Sequence, residues 1–308
     1  MNKIKNYLSL FILFLFIYLL FKYNYIINKS VIDSVNLWIT KVFPSLFIMF
    51  ILNDIIINTN ILKNITIYVN PFFNKIFNTN NNSFEAFLLS IFSGTPSSAF
   101  ILKEMTDNNK IDTVSANKLI SFTFFSNPLF LYNILSVTFN KYIVFKIILI
   151  HYLTNIIIGL LYRKNMVNSK LLYNNTYKNY NFLQLISNSI KKSMDTLLMI
   201  LGTITFYMIS TNLLLSFIKT NTLVTILIKG IFEITQSLNI LNLLEYQSII
   251  KEVIAISIIS FGGLSIHTQV LSIINKTKIS YKNFFIGRIL HTIISAFTYI
   301  ICSIVFAS

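Results

Sequence analysis

Crossing about 30 Å of hydrocarbon takes a helix of about 20 apolar residues, and four uncharged runs meet that length, near 119–140, 196–218, 253–275 and 289–308. Shorter runs of similar character lie at 6–21, 42–53, 86–102 and 147–162, and each extends past a terminal Lys able to snorkel to the interface. Two stretches, 64–74 and 234–244, hold only eleven uncharged residues each. They fit spans, re-entrant hairpins or interfacial helices. The pattern predicts an all-α, polytopic membrane protein of about 8 to 10 helices.

The first run opens Met1-Asn2-Lys3-Ile4-Lys5 like a signal peptide, but no small-x-small cleavage site follows Phe21, so residues 1–30 are expected to form an uncleaved anchor. The longest hydrophilic stretch, 163–192, carries Asn174, Asn175, Asn179, Lys170 and Lys178 and divides the chain. Its two sides look alike. Residues 31–140 and 193–308 are read as two repeats, joined by a span and polar loop at 141–192. In each, a Phe stands before a small-residue pair, Phe92-Ser93-Gly94 and Phe261-Gly262-Gly263, 169 residues apart. If 141–162 crosses, the repeats enter the bilayer from opposite sides, the inverted plan of many secondary transporters, with two broken helices at its centre. Lys and Arg placement puts the N-terminus and 163–192 in the cytoplasm provided that 61–79 crosses. Lys276, Lys278, Lys282 and Arg288 then fall outside unless 222–244 is re-entrant.

Composition agrees with the pattern. Only 11% of the 308 residues are charged, against about a quarter in a soluble domain, and mean hydropathy is +0.69. Seven Gly and four Pro beside 29 Phe argue against collagen-like, disordered and turn-rich β-barrel classes. The net charge of +15 is carried by Lys, with Arg163 and Arg288 the only arginines, and implies no nucleic-acid partner in this context. Cys302 is the only cysteine, so no disulfide framework, metal cluster or cofactor is expected. Walker A, HExxH and GxSxG motifs are absent and the acids are scattered, which points away from an enzyme.

Candidate chemistry sits where spans are interrupted. In Ser93-Gly94-Thr95-Pro96-Ser97-Ser98, the proline lacks a backbone donor and the glycine is free in its dihedrals, so a helix is expected to stop and restart in mid-membrane. Such a break is tolerated only against protein or a water-filled cavity. Its restarting N-terminus attracts anions. A kink repaired by hydroxyls is the other reading. Asn127, before Pro128, should face the bundle interior, either for transport or for an interhelical hydrogen bond. The most polar mid-span cluster is Gly262-Gly263-Leu264-Ser265-Ile266-His267-Thr268-Gln269, where His267 is either an anion or proton ligand or a structural histidine. Glu233 is four residues from Lys229 and either pairs with it or couples a proton. Arg288 and His291 open the last span and are expected at its interface.

Taken in order, Trp38 with Lys41-Val42-Phe43-Pro44-Ser45, the 93–99 break, Ser126-Asn127-Pro128, Glu233-Ile234-Thr235-Gln236 and the 260–270 stretch form a specific series. That series resembles the sporulation integral membrane protein family of endospore-forming Firmicutes, the YlbJ or stage V type with nucleoside-recognition (Gate) domains, from about 35 to 295. The resemblance implies movement of dipicolinate, a small planar dianion, across the outer forespore membrane. Ser93, Gly94, Thr95, Pro96, Ser97, Ser98, Asn127, Gly262, Gly263, Ser265, His267 and Gln269 are the expected substrate-binding residues, with Glu233 as a possible coupling group. Movement of nucleosides or other metabolites, and a spore-envelope scaffold, are the alternatives.

Overall fold

A computed structural model describes residues 2–59, 61–79, 82–164 and 181–305. Most of the polar stretch at 165–180 therefore lies outside the described residues. The described chain is helical throughout: α1 (Asn2–Lys22), α2 (Asn24–Leu37), α3 (Phe43–Thr59), α4 (Lys63–Phe77), α5 (Ser83–Ser93), α6 (Ser97–Asp107), α7 (Thr113–Phe122), α8 (Pro128–Leu135), α9 (Lys141–Leu161), α10 (Phe182–Phe217), α11 (Thr222–Phe232), α12 (Ile234–Asn239), α13 (Ser248–Phe261), α14 (Gly263–Ile274) and α15 (Tyr281–Val305). A π-turn at Trp38–Val42 joins α2 to α3 without interruption. Five described segments are long and apolar enough to span: Asn24–Thr59, Lys141–Leu161, Phe182–Phe217, Ser248–Ile274 and Tyr281–Val305. The chain is a multi-pass membrane protein, and the all-α expectation holds. Its abundant Asn has a structural use here, since Asn127, Asn140, Asn181 and Asn221 each cap a helix by accepting a backbone N–H of its first turn.

Side chains are sorted for lipid. On α9 and α15, Phe145, Leu149, Ile293 and Phe297 face outward, whereas His151, Thr154, Asn155, Arg288, His291 and Ser295 are buried. Polar groups there are turned inside the bundle because hydrocarbon cannot satisfy them.

The long helices set the frame. The 36-residue α2–α3 helix runs antiparallel to the 36-residue α10. Ser30 meets Asn212 (2.9 Å), Ser34 meets Thr205 (2.7 Å), Trp38 Nε1 donates to the Leu197 carbonyl (3.0 Å), and Ser189 donates to Asp54 (2.6 Å). Asp33 and Asp54 lie about 31 Å apart along the helix axis by its rise per residue. That distance matches the hydrocarbon thickness, so the two acids mark the two interfaces and residues 42–46 mark the midplane.

The remaining elements follow the same inversion. Hairpin α5–α6 starts and ends at the Asp54 side, because Asn82 Nδ2 donates to the Lys110 carbonyl (3.0 Å) and Lys110 Nζ to the Ile57 carbonyl (3.2 Å). It is re-entrant, with its tip at Gly94. Hairpin α11–α12 is its counterpart from the Asp33 side: Ser237 Oγ donates to the Ile226 carbonyl (2.7 Å), folding α12 back along α11. Segments α7–α8 and α13–α14 cross in opposite senses, each interrupted halfway, at 123–127 and at Gly262. Helices α9 and α15 close the two halves.

The structure thus pairs the halves in a different register from the one suggested by Phe92-Ser93-Gly94 and Phe261-Gly262-Gly263. Hairpin corresponds to hairpin and interrupted crossing to interrupted crossing, so Gly94 matches the Glu233 tip and Asn127 matches Gly262. Four interruptions, rather than two, reach the midplane. Topology is affected as well. Residues 64–74 lie in α4, which stays at the Asp54 side, and 86–102 fold back instead of crossing. These two changes cancel, leaving Arg163 and Lys192 at the Asp54 side together with Lys103, Lys118 and Lys191. Because 222–244 is re-entrant, Lys276, Lys278 and Lys282 join them, and Asn117 Nδ2 bonds the Lys278 carbonyl there (3.4 Å). By the positive-inside rule the Asp54 side faces the cytoplasm.

Candidate site at the crossing of four interrupted helices

The interruptions hold one another. Thr95 N donates to the Phe125 carbonyl (2.9 Å) and Asn127 Nδ2 to the Phe92 carbonyl (2.8 Å), which latches the tip of α5–α6 onto the α7–α8 break. Asn127 Oδ1 also accepts from Phe130 N (3.0 Å), capping α8. Gly94, at φ +70°, comes so near that a Cβ there would stand 2.5 Å from Asn127 N. In the other half, Gly263 (φ +67°) packs against the end of α11, where a Cβ would lie 3.3 Å from the Gly230 and Phe232 carbonyls. Gly262 meets the Phe124 ring, tying the two crossings together.

Between the latched pairs lies a cavity of about 40 Å³ lined by Thr95, Pro96, Ser126, Asn127, Glu233, Thr235, Ser265 and Gln269 and walled by apolar residues such as Val42, Leu46 and Ile200. It lies at the level of residues 42–46, the midplane. Apart from Gln269, in the second turn of α14, the polar wall comes from residues at or just before the N-terminal turns of α6, α8, α12 and α14, so the positive ends of these half-helices face inward.

Glu233 is the only acid in this wall. It does not pair with Lys229. The chain leaves the helix at Glu233 (φ −149°), turning the side chain to cap α12: Oε1 accepts from Thr235 N (3.0 Å) and Thr235 Oγ1 (2.8 Å). Lys229 Nζ instead donates to Asn212 Oδ1 (3.3 Å). Three buried oxygens of wall residues, Glu233 Oε2, Ser126 Oγ and Ser265 Oγ, have no partner of good hydrogen-bond geometry within the protein. Ser265 faces the Glu233 carboxylate.

Cavities continue on both sides along the seam between α2–α3 and α10. Toward the Asp33 side is a vestibule of about 370 Å³, lined among others by Asp33, Lys41, Asn212, Lys229 and Gln236. Toward the Asp54 side come spaces of about 40 Å³, beside Ser97 and Glu104, and about 220 Å³, beside Asn188 and Asp195. A polar tie spans the seam on each side. Lys192 Nζ pairs with Asp54 (2.8 Å) and Glu104 (3.6 Å), and on the other side Asn212 Oδ1 accepts from both Lys229 and Gln236 (3.2 Å).

Of the residues singled out from sequence, Thr95, Pro96, Asn127, Glu233, Ser265 and Gln269 line the central cavity, and Ser97 lines its neighbour. Ser93 bonds its own helix at the Leu89 carbonyl (2.8 Å), and Gly94, Ser98, Gly262 and Gly263 pack behind the wall. His267 stands apart: Nδ1 meets Tyr281 Oη (2.8 Å) and Nε2 meets the Phe261 carbonyl (3.1 Å), so both ring nitrogens are engaged outside the cavity. Ser126 and Thr235 belong to the wall but were not selected. Their positions beside Asn127 and Glu233, at chain breaks, were the available signal.

Arg288 and His291 are not at the interface. Both are fully buried. The Arg288 guanidinium lies 3.9 Å over the Phe124 ring and donates to the Ser121 carbonyl (3.0 Å), while His291 Nε2 meets the His151 carbonyl (3.0 Å). One guanidinium nitrogen and one ring nitrogen thus meet carbonyls of α7 and α9, whereas Arg288 Nε and Nη1 and His291 Nδ1 have no hydrogen-bond partner within the protein.

The chain is 26% identical over 303 residues to the sporulation integral membrane protein YlbJ of Bacillus subtilis (strain 168), covering 85% of this chain and 74% of that one. No protein-family model matches the chain, and no solved structure matches it.

Proposed function

We propose that the chain, similar along most of its length to a sporulation integral membrane protein, is a transporter moving dipicolinate or a similar small organic anion across the outer forespore membrane. One observation carries this reading: four interrupted helices meet at the midplane around a buried, polar-walled cavity, with a vestibule on each side of it. A protein serving only as an envelope scaffold has no use for breaks at this depth, each of which frees backbone groups that lipid cannot satisfy. Half-helix N-termini at the midplane suit carboxylate groups. At about 40 Å³ the cavity holds water but no dicarboxylate. Loading a dicarboxylate would therefore require this space to widen.

A second reading has its own support. The central wall contains Glu233 and hydroxyls but no Lys or Arg, which suits a neutral, hydroxyl-bearing solute such as a nucleoside. Uptake of labelled dipicolinate and of nucleosides into proteoliposomes separates the two. Dipicolinate accumulation above protein-free vesicles is the expected result. Nucleoside accumulation alone selects the second reading, and uptake of neither solute by correctly inserted protein removes both.

A further inference from the structure

We propose that the central cavity binds a sodium ion through Glu233 Oε2, Ser265 Oγ and Ser126 Oγ. All three atoms are buried and belong to residues that line one small space; none has a partner of good hydrogen-bond geometry, and the Ser265 hydroxyl lies against the Glu233 carboxylate. All are oxygens, the donors that hard cations take. Thr235 occupies Oε1 through its backbone N–H and its hydroxyl, and this fixes the carboxylate with Oε2 left over. A carboxylate buried at membrane depth needs a compensating charge as well as hydrogen bonds. No basic side chain lines the cavity, and Lys229 is turned away toward Asn212. The inward N-terminal dipoles of the half-helices offset part of that charge, and a cation would offset the rest.

The volume of about 40 Å³ admits a single small ion and excludes an organic solute. One carboxylate is neutralised by one monovalent ion, which favours sodium over a divalent metal. The C-terminal end of α11, where the chain breaks just before Glu233, adds carbonyl dipoles of the sign that attracts a cation. The consequence for transport rests on the proposed function: with the ion bound, the wall no longer repels a dianion, so sodium and substrate would load together.

Binding is testable without substrate. The full-length protein in detergent is melted in increasing NaCl, with choline chloride holding ionic strength constant, and ²²Na⁺ binding is measured by equilibrium dialysis. The expected result is a saturable rise in melting temperature with Na⁺ and saturable ²²Na⁺ binding, both lost in Glu233→Gln. Ser265→Ala, which keeps the carboxylate and its cap, is expected to weaken apparent Na⁺ affinity about tenfold, and it serves as the test if Glu233→Gln fails to fold. Equal melting in Na⁺ and choline with no ²²Na⁺ bound by the wild type overturns the proposal and leaves Glu233 to a proton. A full Na⁺ response in Glu233→Gln, or unchanged affinity in Ser265→Ala, overturns it by placing the ion elsewhere. Failure of uptake assays bears on the proposed function and leaves this binding result standing.

Discussion

Gly94→Ala is the most incisive single change to the crossing, because two independent penalties act on one methyl group. The backbone at Gly94 has φ 70° and ψ −173°, a region open essentially to glycine alone, and a side chain there costs about 1–3 kcal/mol in strain. The added Cβ would also stand 2.5 Å from Asn127 N, a backbone atom that cannot swing aside. Separating the tip from Asn127 breaks the Thr95–Phe125 and Asn127–Phe92 hydrogen bonds, each worth about 1 kcal/mol net. The sum is about 3–5 kcal/mol. Gly202→Ala is the control, since nothing lies within 4 Å of its Cβ position in mid-helix, and alanine there gains up to about 1 kcal/mol in helix propensity. Trp38 is the only tryptophan, buried in the α2–α10 seam, so its fluorescence reports unfolding during SDS titration. The midpoint should fall for Gly94→Ala and stay level or rise for Gly202→Ala. Superimposable curves for Gly94→Ala and wild type would refute the latch.

Lys192→Met leaves Asp54, whose side chain is 9% exposed, with Ser189 as its remaining side-chain partner; discounted for the half-exposed lysine, the loss should be about 1–2 kcal/mol. Adding Asp54→Asn should restore part of it, and strict additivity in the double-mutant cycle would show that the pair is uncoupled. Arg288→Lys should lower the melting temperature more than Arg288→Met, because lysine keeps a buried charge while losing the flat stack on Phe124; the reverse order would mean that the charge itself is needed. In a Cys302→Ser background, Lys219→Cys and Leu243→Cys should both react with an impermeant maleimide applied to one side of the membrane, with Lys276→Cys reacting only from the other. Labelling of 219 and 243 from opposite sides would show that 222–244 crosses.

Helical class, membrane character and the positions of three breaks were legible because Pro, Gly and hydroxyl clusters are conspicuous in apolar sequence. The path of the chain through each break was not. Residues 86–102 read as one span of adequate length, yet they are two eleven-residue helices folded back on each other, and an uncharged run has the same composition either way. The fourth break, at Glu233, has no Gly or Pro to mark it; a carboxylate capping α12 starts the new helix. His267 looked like a ligand because it is polar in an apolar run. Tyr281 and the Phe261 carbonyl, which engage it, come from other turns that spacing alone does not bring together. Arg288 misled in the opposite way: a charge at the start of an uncharged run resembles an interfacial residue until the carbonyls of α7 are known to lie beside it.

The latches and ties suggest how the parts move relative to one another. Within each half, hairpin and interrupted crossing are joined at their breaks by backbone contacts, and Gly262 against Phe124 joins the halves, so the four breaks form one body. That body meets the α2–α3 and α10 frame along the seam that holds the cavities, where apolar Val42, Leu46 and Ile200 face the polar wall. An apolar surface against hydroxyls offers little to hold the two in register. What holds them is a set of polar contacts: at cavity level Gln269 Nε2 of α14 donates to Thr203 Oγ1 of α10 (2.6 Å), and at the mouths Lys192 lies between Asp54 of the frame and Glu104 of hairpin α5–α6 on one side and Asn212 of the frame accepts from Lys229 and Gln236 of hairpin α11–α12 on the other. The two mouth ties rest on different residues of different hairpins. Under the proposed transport function, opening toward one face would release the tie on that face while the opposite one persists.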